Sequence, residues 1–103
     1  NPACATRVIL ADGNVAGNIG AWADGADRQV GYWIGRELWG RGIASAALVQ
    51  FLDYEAQRPL TACVAKHNLG SIRVLQKAGF TLVREDAFDL PDGTKFEELV
   101  FRL

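Results

Sequence analysis

The 103-residue sequence contains no methionine, a single histidine and only two cysteines. The cysteines, Cys4 and Cys63, stand far apart and form no CxxC pair, so we expect neither a zinc site nor a small disulfide-bonded scaffold. No apolar run reaches the length of a membrane span, and no signal peptide is visible. Together these absences predict a cytoplasmic protein that holds no metal ion and has no membrane partner.

Neither sign of charge dominates the sequence: 11 Lys and Arg residues face 12 Asp and Glu residues, and the formal net charge is -1. Nonspecific binding to nucleic acid needs a basic field that displaces counterions, so no nucleic-acid partner is expected. Hydrophobic residues make up 50% of the chain, which is enough to build a core. The length suits one domain over residues 1–103.

Turn signals and apolar patterns divide the chain into strands and helices. Asp12 and Gly13 between two apolar runs predict a tight β-hairpin, and Pro59 limits the first helix. Gly17 and Gly20 inside a strand indicate a bulge or a close backbone approach. Strands are predicted over residues 7–11, 15–23, 28–35, 60–65, 80–90 and 95–103, and helices over 42–57 and 71–77. The order β-β-β-α-β-α-β-β predicts an α/β (α+β) fold with a mixed, mostly antiparallel sheet and helices packed on it.

The stretch LWGRGIASAALVQFL, residues 38–52, places glycines and small residues at the start of a predicted helix. Arg41 and Gly42 stand where a Walker A motif needs its lysine and its hydroxyl residue, which excludes nucleotide hydrolysis. Ser45 occupies the third glycine of a dinucleotide fingerprint, which argues against that motif as well. Two interpretations stay open for this loop alone. Either the backbone N–H groups of the helix N-terminus hold a diphosphate, or the glycines only form a tight strand-to-helix turn.

A second stretch, AKHNLGSIRVLQKAGF, follows the next predicted strand. Paired with GYWIGRELWGRGIASAAL, it resembles the GNAT superfamily of acyl-CoA-dependent N-acetyltransferases, and within it the branch of ribosomal-protein N-terminal acetyltransferases. The pattern covers residues 28–80, and the flanking strands extend it over nearly all the chain. The family's loop motif, Q/R-x-x-G-x-G/A, falls on residues 39–44. Gly42 and Ala44 match the motif, whereas Trp39 departs from it, as it often does in this branch.

The resemblance implies the GNAT acyltransferase fold and acetyl-CoA as the acyl donor, with no metal. Backbone N–H groups of the glycine loop would hold the CoA diphosphate, and the end of the third strand would pair with the pantetheine arm. Asn68 would bind the pantetheine amide. Its type, like that of Ser71, also suits a helix cap, and the two roles are compatible. The cofactor-binding residues implied in this way are Trp33, Ile34, Gly40, Arg41, Gly42, Ile43, Ala44, Ser45, Asn68 and Ser71.

The implied reaction is direct attack of a primary amine on the acetyl thioester, with the backbone N–H near Ile34 stabilising the oxyanion. Relatives often place a tyrosine or serine seven residues after the asparagine, where this chain has Leu75. They often place a glutamate where it has Gln29. No catalytic residue is therefore assigned from the sequence. Two alternatives stay open: an acyl-CoA-binding domain without transfer activity, and a structural or interaction domain.

The family usually has a further strand and two helices before the first predicted hairpin, and these help to wall the acceptor site. The sequence begins at Asn1 without an initiator methionine. We therefore expect a partial GNAT domain that lacks this N-terminal part, as a fragment of a longer protein. The expected acceptor is a small-molecule amine or a protein N-terminal amine, and exposed sheet edges would favour a homodimer.

Overall fold

The computed structural model describes residues 4–25, 27–55 and 57–103. Six strands form one sheet in the order β1-β2-β3-β4-β6-β5. The strands are β1 (Cys4–Ala11), β2 (Asn14–Asp24), β3 (Asp27–Ile34), β4 (Leu60–Ala65), β5 (Thr81–Asp89) and β6 (Lys95–Arg102). The helices are α1 (Ile43–Tyr54) and α2 (Leu69–Lys77), and a short 3-10 turn covers Arg36–Leu38. The predicted element order is confirmed.

The sheet is mixed and mostly antiparallel, as predicted. Strands β1, β2 and β3 pair antiparallel, β3 and β4 pair parallel, and β6 pairs antiparallel with both β4 and β5. Side chains that alternate along the central strands meet those of both helices in one apolar core, which includes Ile19, Val30, Leu48, Phe51 and Phe101. Because α1 and α2 also contact each other, both helices cover the same face of the sheet. The opposite face carries the alternate side chains of each strand.

The first hairpin closes as the Asp-Gly signal predicts. Its two loop residues, Asp12 and Gly13, have φ angles of 53° and 82°, which fits the type I′ turn that suits the twist of a hairpin. The close backbone approach expected in β2 is found at Gly17, where a Cβ atom would lie 1.8 Å from the carbonyl oxygen of Trp33. A side chain at this position would force β2 and β3 apart.

Both helices differ from their predicted limits at one or both ends. Helix α2 begins at Leu69 rather than Ser71, because Asn68 caps it and accepts a hydrogen bond from the Ser71 N–H. It ends at the predicted limit, Lys77. Gly79 then has a φ angle of 101°, and the Phe80 N–H is bonded to the Leu75 carbonyl, the pattern of a Schellman motif. Helix α1 spans 43–54 instead of 42–57; of the extra predicted residues, Ala56 lies outside the described part.

The end of α1 is set by a buried ion pair. Glu55 leaves the helix and turns its carboxylate to Arg28 at the start of β3. The Arg28 Nε and Nη2 atoms lie 2.9 and 2.8 Å from Glu55 Oε1. Both side chains are almost fully buried, at 2% and 3% exposure. Burial alone would raise the pKa of Glu55, but the hydrogen bonds from Arg28 and from the Gln57 N–H, with the Arg28 charge, lower it instead.

Replacing Glu55 with glutamine should lower the free energy of unfolding by about 3 kcal/mol, because it leaves a buried guanidinium without its counter-charge. In the native chain the pKa of Glu55 is lowered on folding. Its stabilisation is therefore present above the ordinary glutamate pKa of about 4.3 and is lost as the pH falls through the folded value. Denaturant unfolding between about pH 3 and pH 7 measures both the loss of stability in the variant and the pH dependence of the native chain.

The matched control is Glu85→Gln, which removes a carboxylate from an exposed pair with Lys66. Exposed pairs contribute little to stability, so this variant should unfold like the native chain. Equal stability of the two variants, or an unchanged pH dependence in Glu55→Gln, would contradict a stabilising role for the buried pair.

Candidate functional site: a cleft between two parallel strands

The parallel strands β3 and β4 pair over only two positions, Arg28 with Leu60 and Gln29 with Thr61. Beyond these pairs the strands separate, and a cavity of about 220 Å³ opens between them. Main-chain groups on this edge of β3 therefore have no β4 partner from Val30 onward. Such an edge can pair with an extended ligand in the way that it would pair with a strand. The cavity lies beside the strand with which the pantetheine arm was expected to pair.

Tyr32 on β3 and Ser71 on α2 face each other across this cleft. The Tyr32 hydroxyl donates a hydrogen bond of 3.0 Å to Ser71 Oγ, and both residues line the cavity. Burial raises the pKa of Tyr32, and the bond to Ser71 offsets part of that rise. The phenol thus stays protonated at neutral pH and can serve as a proton donor. We missed Tyr32 as a candidate site residue from the sequence, although its alternation with Val30 and Ile34 places it on the helix side of β3.

Asn68 lies at the same cavity and caps α2 there. Its Oδ1 accepts the Ser71 N–H at 3.2 Å, which is a helix cap. The cap uses only the acceptor end of the amide, so the two Nδ2 hydrogens stay available for a ligand carbonyl. Leu75, one turn beyond Ser71 in α2, is buried and lines the cavity as well. It supplies no proton, in agreement with the sequence.

The glycine loop delivers open backbone donors to the start of α1. Gly40 and Gly42 have φ angles of 79° and 76°, the left-handed region that favours glycine. The helix ladder starts with the Ala46 N–H bonded to the Gly42 carbonyl, and no side chain caps the N-terminus. The N–H groups from Gly42 to Ser45 thus precede the ladder and carry the partial positive charge of the helix end. This geometry can hold an anion.

Two of the expected loop residues line a different cavity. Arg41 and Ile43 border a groove of about 600 Å³ between β1 and α1, together with Arg7 and Tyr54. The Arg7 guanidinium stacks over the Tyr54 ring at 4.2 Å. The groove contains neither Asn68 nor any residue of β4, so it is distinct from the cleft between β3 and β4.

Trp33 and Ile34, expected to pair with the pantetheine arm, point to different places. Ile34 is buried in the core, and its carbonyl already accepts a 2.9 Å hydrogen bond from the Trp39 indole. A ligand near Ile34 would therefore use its N–H group. Trp33 is 61% exposed, and its alternation with Tyr32 and Ile34 places its ring on the sheet face away from the helices.

The described residues contain no group of three or more His, Cys, Asp or Glu side chains that could hold a metal ion. In the same part of the chain, no helix is long and apolar enough to cross a membrane.

Comparison with known families identifies the family of this chain. A family model described as the acetyltransferase (GNAT) domain matches residues 2–81. The chain belongs to the GNAT acetyltransferase family. The match includes β1 to α2 and hence the whole cleft, from the diverging strands to the Asn68 cap. A search of curated proteins found no match.

Solved structures share the fold of this GNAT domain. RimJ from Mycobacterium smegmatis, in complex with CoA-disulfide, is 27% identical with a TM-score of 0.81, over 98% of this chain and 53% of its own. A GNAT acetyltransferase from Streptococcus pneumoniae is 19% identical with a TM-score of 0.85, over 98% and 67%. The microcin C7 self-immunity acetyltransferase MccE, in complex with acetyl-CoA and AMP, is 19% identical with a TM-score of 0.81, over 98% and 61%. The chain thus spans between about half and two thirds of the length of these proteins.

Exchanging Asn68 for aspartate should separate the cap from ligand binding. Aspartate keeps the oxygen that caps α2, but it removes the two amide donors. We expect unchanged stability and CoA binding that is weaker by about five- to tenfold, the worth of one hydrogen bond. Thermal unfolding and calorimetry with CoA measure the two properties.

Asn68→Ala is the matched variant, because it removes both the cap and the donors. It should lose about 1 kcal/mol of stability as well as CoA affinity. If Asn68→Asp binds CoA as tightly as the native chain, the asparagine is only a cap.

Proposed function

We propose that this GNAT domain transfers an acetyl group from acetyl-CoA to a primary amine. The observation that carries the proposal is the cleft itself. Strands β3 and β4 diverge after Gln29 and Thr61, and the amides at the start of α1, the next α-helix along the chain, have no side-chain cap. An extended thioester with a diphosphate at one end suits both features.

The donor would lie with its diphosphate on the N–H groups from Gly40 to Ser45, as the family resemblance implies. Its pantetheine arm would follow the open edge of β3 toward the point where the two strands meet. Asn68 would donate to a pantetheine carbonyl through Nδ2. The acetyl end then lies deep in the cleft, where Tyr32, Ser71 and Leu75 form the wall on the helix side.

The chemistry is acyl transfer by direct attack. A neutral amine attacks the thioester carbonyl carbon, the C–N bond forms and the C–S bond breaks. A backbone N–H on the open edge of β3, near Ile34 as the resemblance implies, is the proposed oxyanion donor. We assign proton donation to the leaving thiolate to Tyr32, whose hydroxyl enters the cleft from β3 and takes over the role for which Leu75 has no group. The proton released from the new amide restores the phenol.

Several finer points belong to the proposal as well. The proposed acceptor is a small-molecule amine or a protein N-terminal amine. Both cysteines, Cys4 and Cys63, are free thiols, which fits the proposed cytoplasmic location.

Ser45→Asp tests the diphosphate position. A carboxylate in the first turn of α1 favours the helix dipole, so stability should stay the same or rise by up to about 1 kcal/mol. It also repels the diphosphate, so calorimetry should show CoA binding weaker by about tenfold or more. This variant is preferable to a change of Gly42, where any side chain would strain the left-handed backbone.

Gln50→Glu is the charge-matched control, because it adds the same negative charge to an exposed position in the second half of α1. It should bind CoA like the native chain. Native CoA affinity in Ser45→Asp would overturn the diphosphate site, and no CoA binding by the native chain would leave only the structural or interaction alternative.

Tyr32→Phe tests the transfer step. The variant should bind CoA within about threefold of the native chain, but amine-dependent release of free CoA thiol from acetyl-CoA should slow by about a hundredfold. Tyr54→Phe, in the separate groove, is the control and should keep the native rate. A native rate in Tyr32→Phe would rule out its role as proton donor. If the native chain binds CoA but releases no thiol with any amine, the domain is a binder rather than an enzyme.

A further inference from the structure

Strand β5 forms an open edge of the sheet. It lies at one end of the strand order, and within the described part of the chain it pairs only with β6. All of its residues are exposed except Asp86, which is half-buried. Its apolar side chains Leu82 and Phe88 are 50% and 48% exposed. A long exposed edge of this kind offers unpaired N–H and C=O groups to another strand.

The sequence of β5, TLVREDAFD, is complementary to a second copy of itself in the antiparallel direction. With Glu85 on a twofold axis, Arg84 of each copy lies opposite Asp86 of the other. Opposite charges in directly opposed positions stabilise a strand pair. Within one chain, Arg84 Nε lies 3.0 Å from Asp86 Oδ2, so the two side chains already share one face of the strand. Two copies would therefore close a ring of four alternating charges.

Other registers of the same edge lack this match. Only every second residue of a strand turns its N–H and C=O groups outward, so opposed residues must be an even number of positions apart. With Arg84 or Asp86 on the axis, two like charges would meet there. With Ala87 on the axis, Glu85 would lie opposite Asp89. Like charges in opposed positions destabilise a strand pair, so the charges select the register that is centred on Glu85.

Glu85 meets its own copy in this register, but each copy brings a counter-charge with it. Lys66 Nζ lies 2.6 Å from Glu85 Oε1. The hydrogen bond and the charge of Glu85 raise the pKa of Lys66, so the ammonium group stays charged at neutral pH. Two neutral Lys66–Glu85 pairs would thus lie side by side at the axis, rather than two bare carboxylates.

Apolar side chains extend the match beyond the charged centre. In the same register, Leu82 and Val83 of one copy lie near Phe88 and Ala87 of the other. A bulge between Leu82 and Arg84 interrupts the regular edge, and bulges at an edge weaken its pairing with other strands. The association should therefore be reversible and dependent on concentration.

We propose that two copies of the chain associate through β5, with Glu85 on the twofold axis, and join their six-stranded sheets into one continuous sheet. The axis of such an isologous contact runs perpendicular to the sheet, so the helices of both copies lie on the same face. The inference does not depend on acetyl transfer, because no residue of β5 lines the cleft or the groove.

Reversal of single charges tests the register. Arg84→Asp makes both opposed positions acidic, and Asp86→Arg makes both basic. Each variant alone should dimerise about tenfold more weakly than the native chain, or worse, because two attractive contacts become repulsive. An equimolar mixture should dimerise at least as tightly as the native chain, because an acidic edge then meets a basic one. Sedimentation velocity over a concentration series up to about 1 mM measures the dimer fraction.

Arg73→Asp is the charge-matched control, because it makes the same reversal at an exposed position of α2. It should dimerise like the native chain. The inference is overturned by a native chain that stays monomeric throughout the series, by single reversals at β5 that leave dimerisation unchanged, or by a mixture of the two variants that stays monomeric.

A disulfide cross-link locates the axis independently of charge. In a Cys4→Ser, Cys63→Ser background, Glu85→Cys should give a covalent dimer in air, because residues opposed on the axis have Cα atoms about 5 Å apart. Ala87→Cys is the matched variant. In the proposed register its two copies are offset by about 13 Å along the strands, too far for a disulfide. Non-reducing electrophoresis measures the yield, and equal or reversed yields would overturn the register.

Discussion

The site depends on how β3 and β4 are held together at one end and kept apart at the other. Their parallel pairing starts at Arg28 and stops at Gln29. The Arg28–Glu55 ion pair joins the start of β3 to the end of α1, so the connection that leads to β4 is anchored where the two strands meet. Loss of either partner would leave a buried charge uncompensated, so the two side chains hold this arrangement together. Here it would keep the narrow end closed, so that the strands separate only toward the loop that carries Gly42.

This separation gives the sheet two unlike faces at one cleft. On the helix side the cleft is lined by Tyr32, Asn68 and Ser71. On the other side it meets Gly31 and Cys63. The hydrogen-bonding side chains of the cleft thus lie mainly on its helix side.

Most of the fold could be predicted because its signals are local. The Asp12-Gly13 turn, the Gly79 cap and the alternation along the strands each act within a few residues. The limits of both helices were wrong because side chains decided them: Asn68 starts α2 earlier, and Glu55 leaves α1 for a partner 27 residues away. Tyr32 was missed because its position at the cleft depends on the pairing of strands that are distant in sequence. No local spacing encodes that register.

The hydrogen bond between Tyr32 and Ser71 has a consequence for ligand affinity. It lies on the helix side of the cleft, and a ligand that reaches between β3 and α2 would have to displace it. The net free energy of such a bond, about 1 kcal/mol, is then subtracted from whatever the incoming molecule gains. Long aliphatic molecules with no polar group at that depth could not restore the loss and would be rejected about fivefold. An amide-containing arm could replace the bond, so the cleft favours ligands that carry an amide group at that depth.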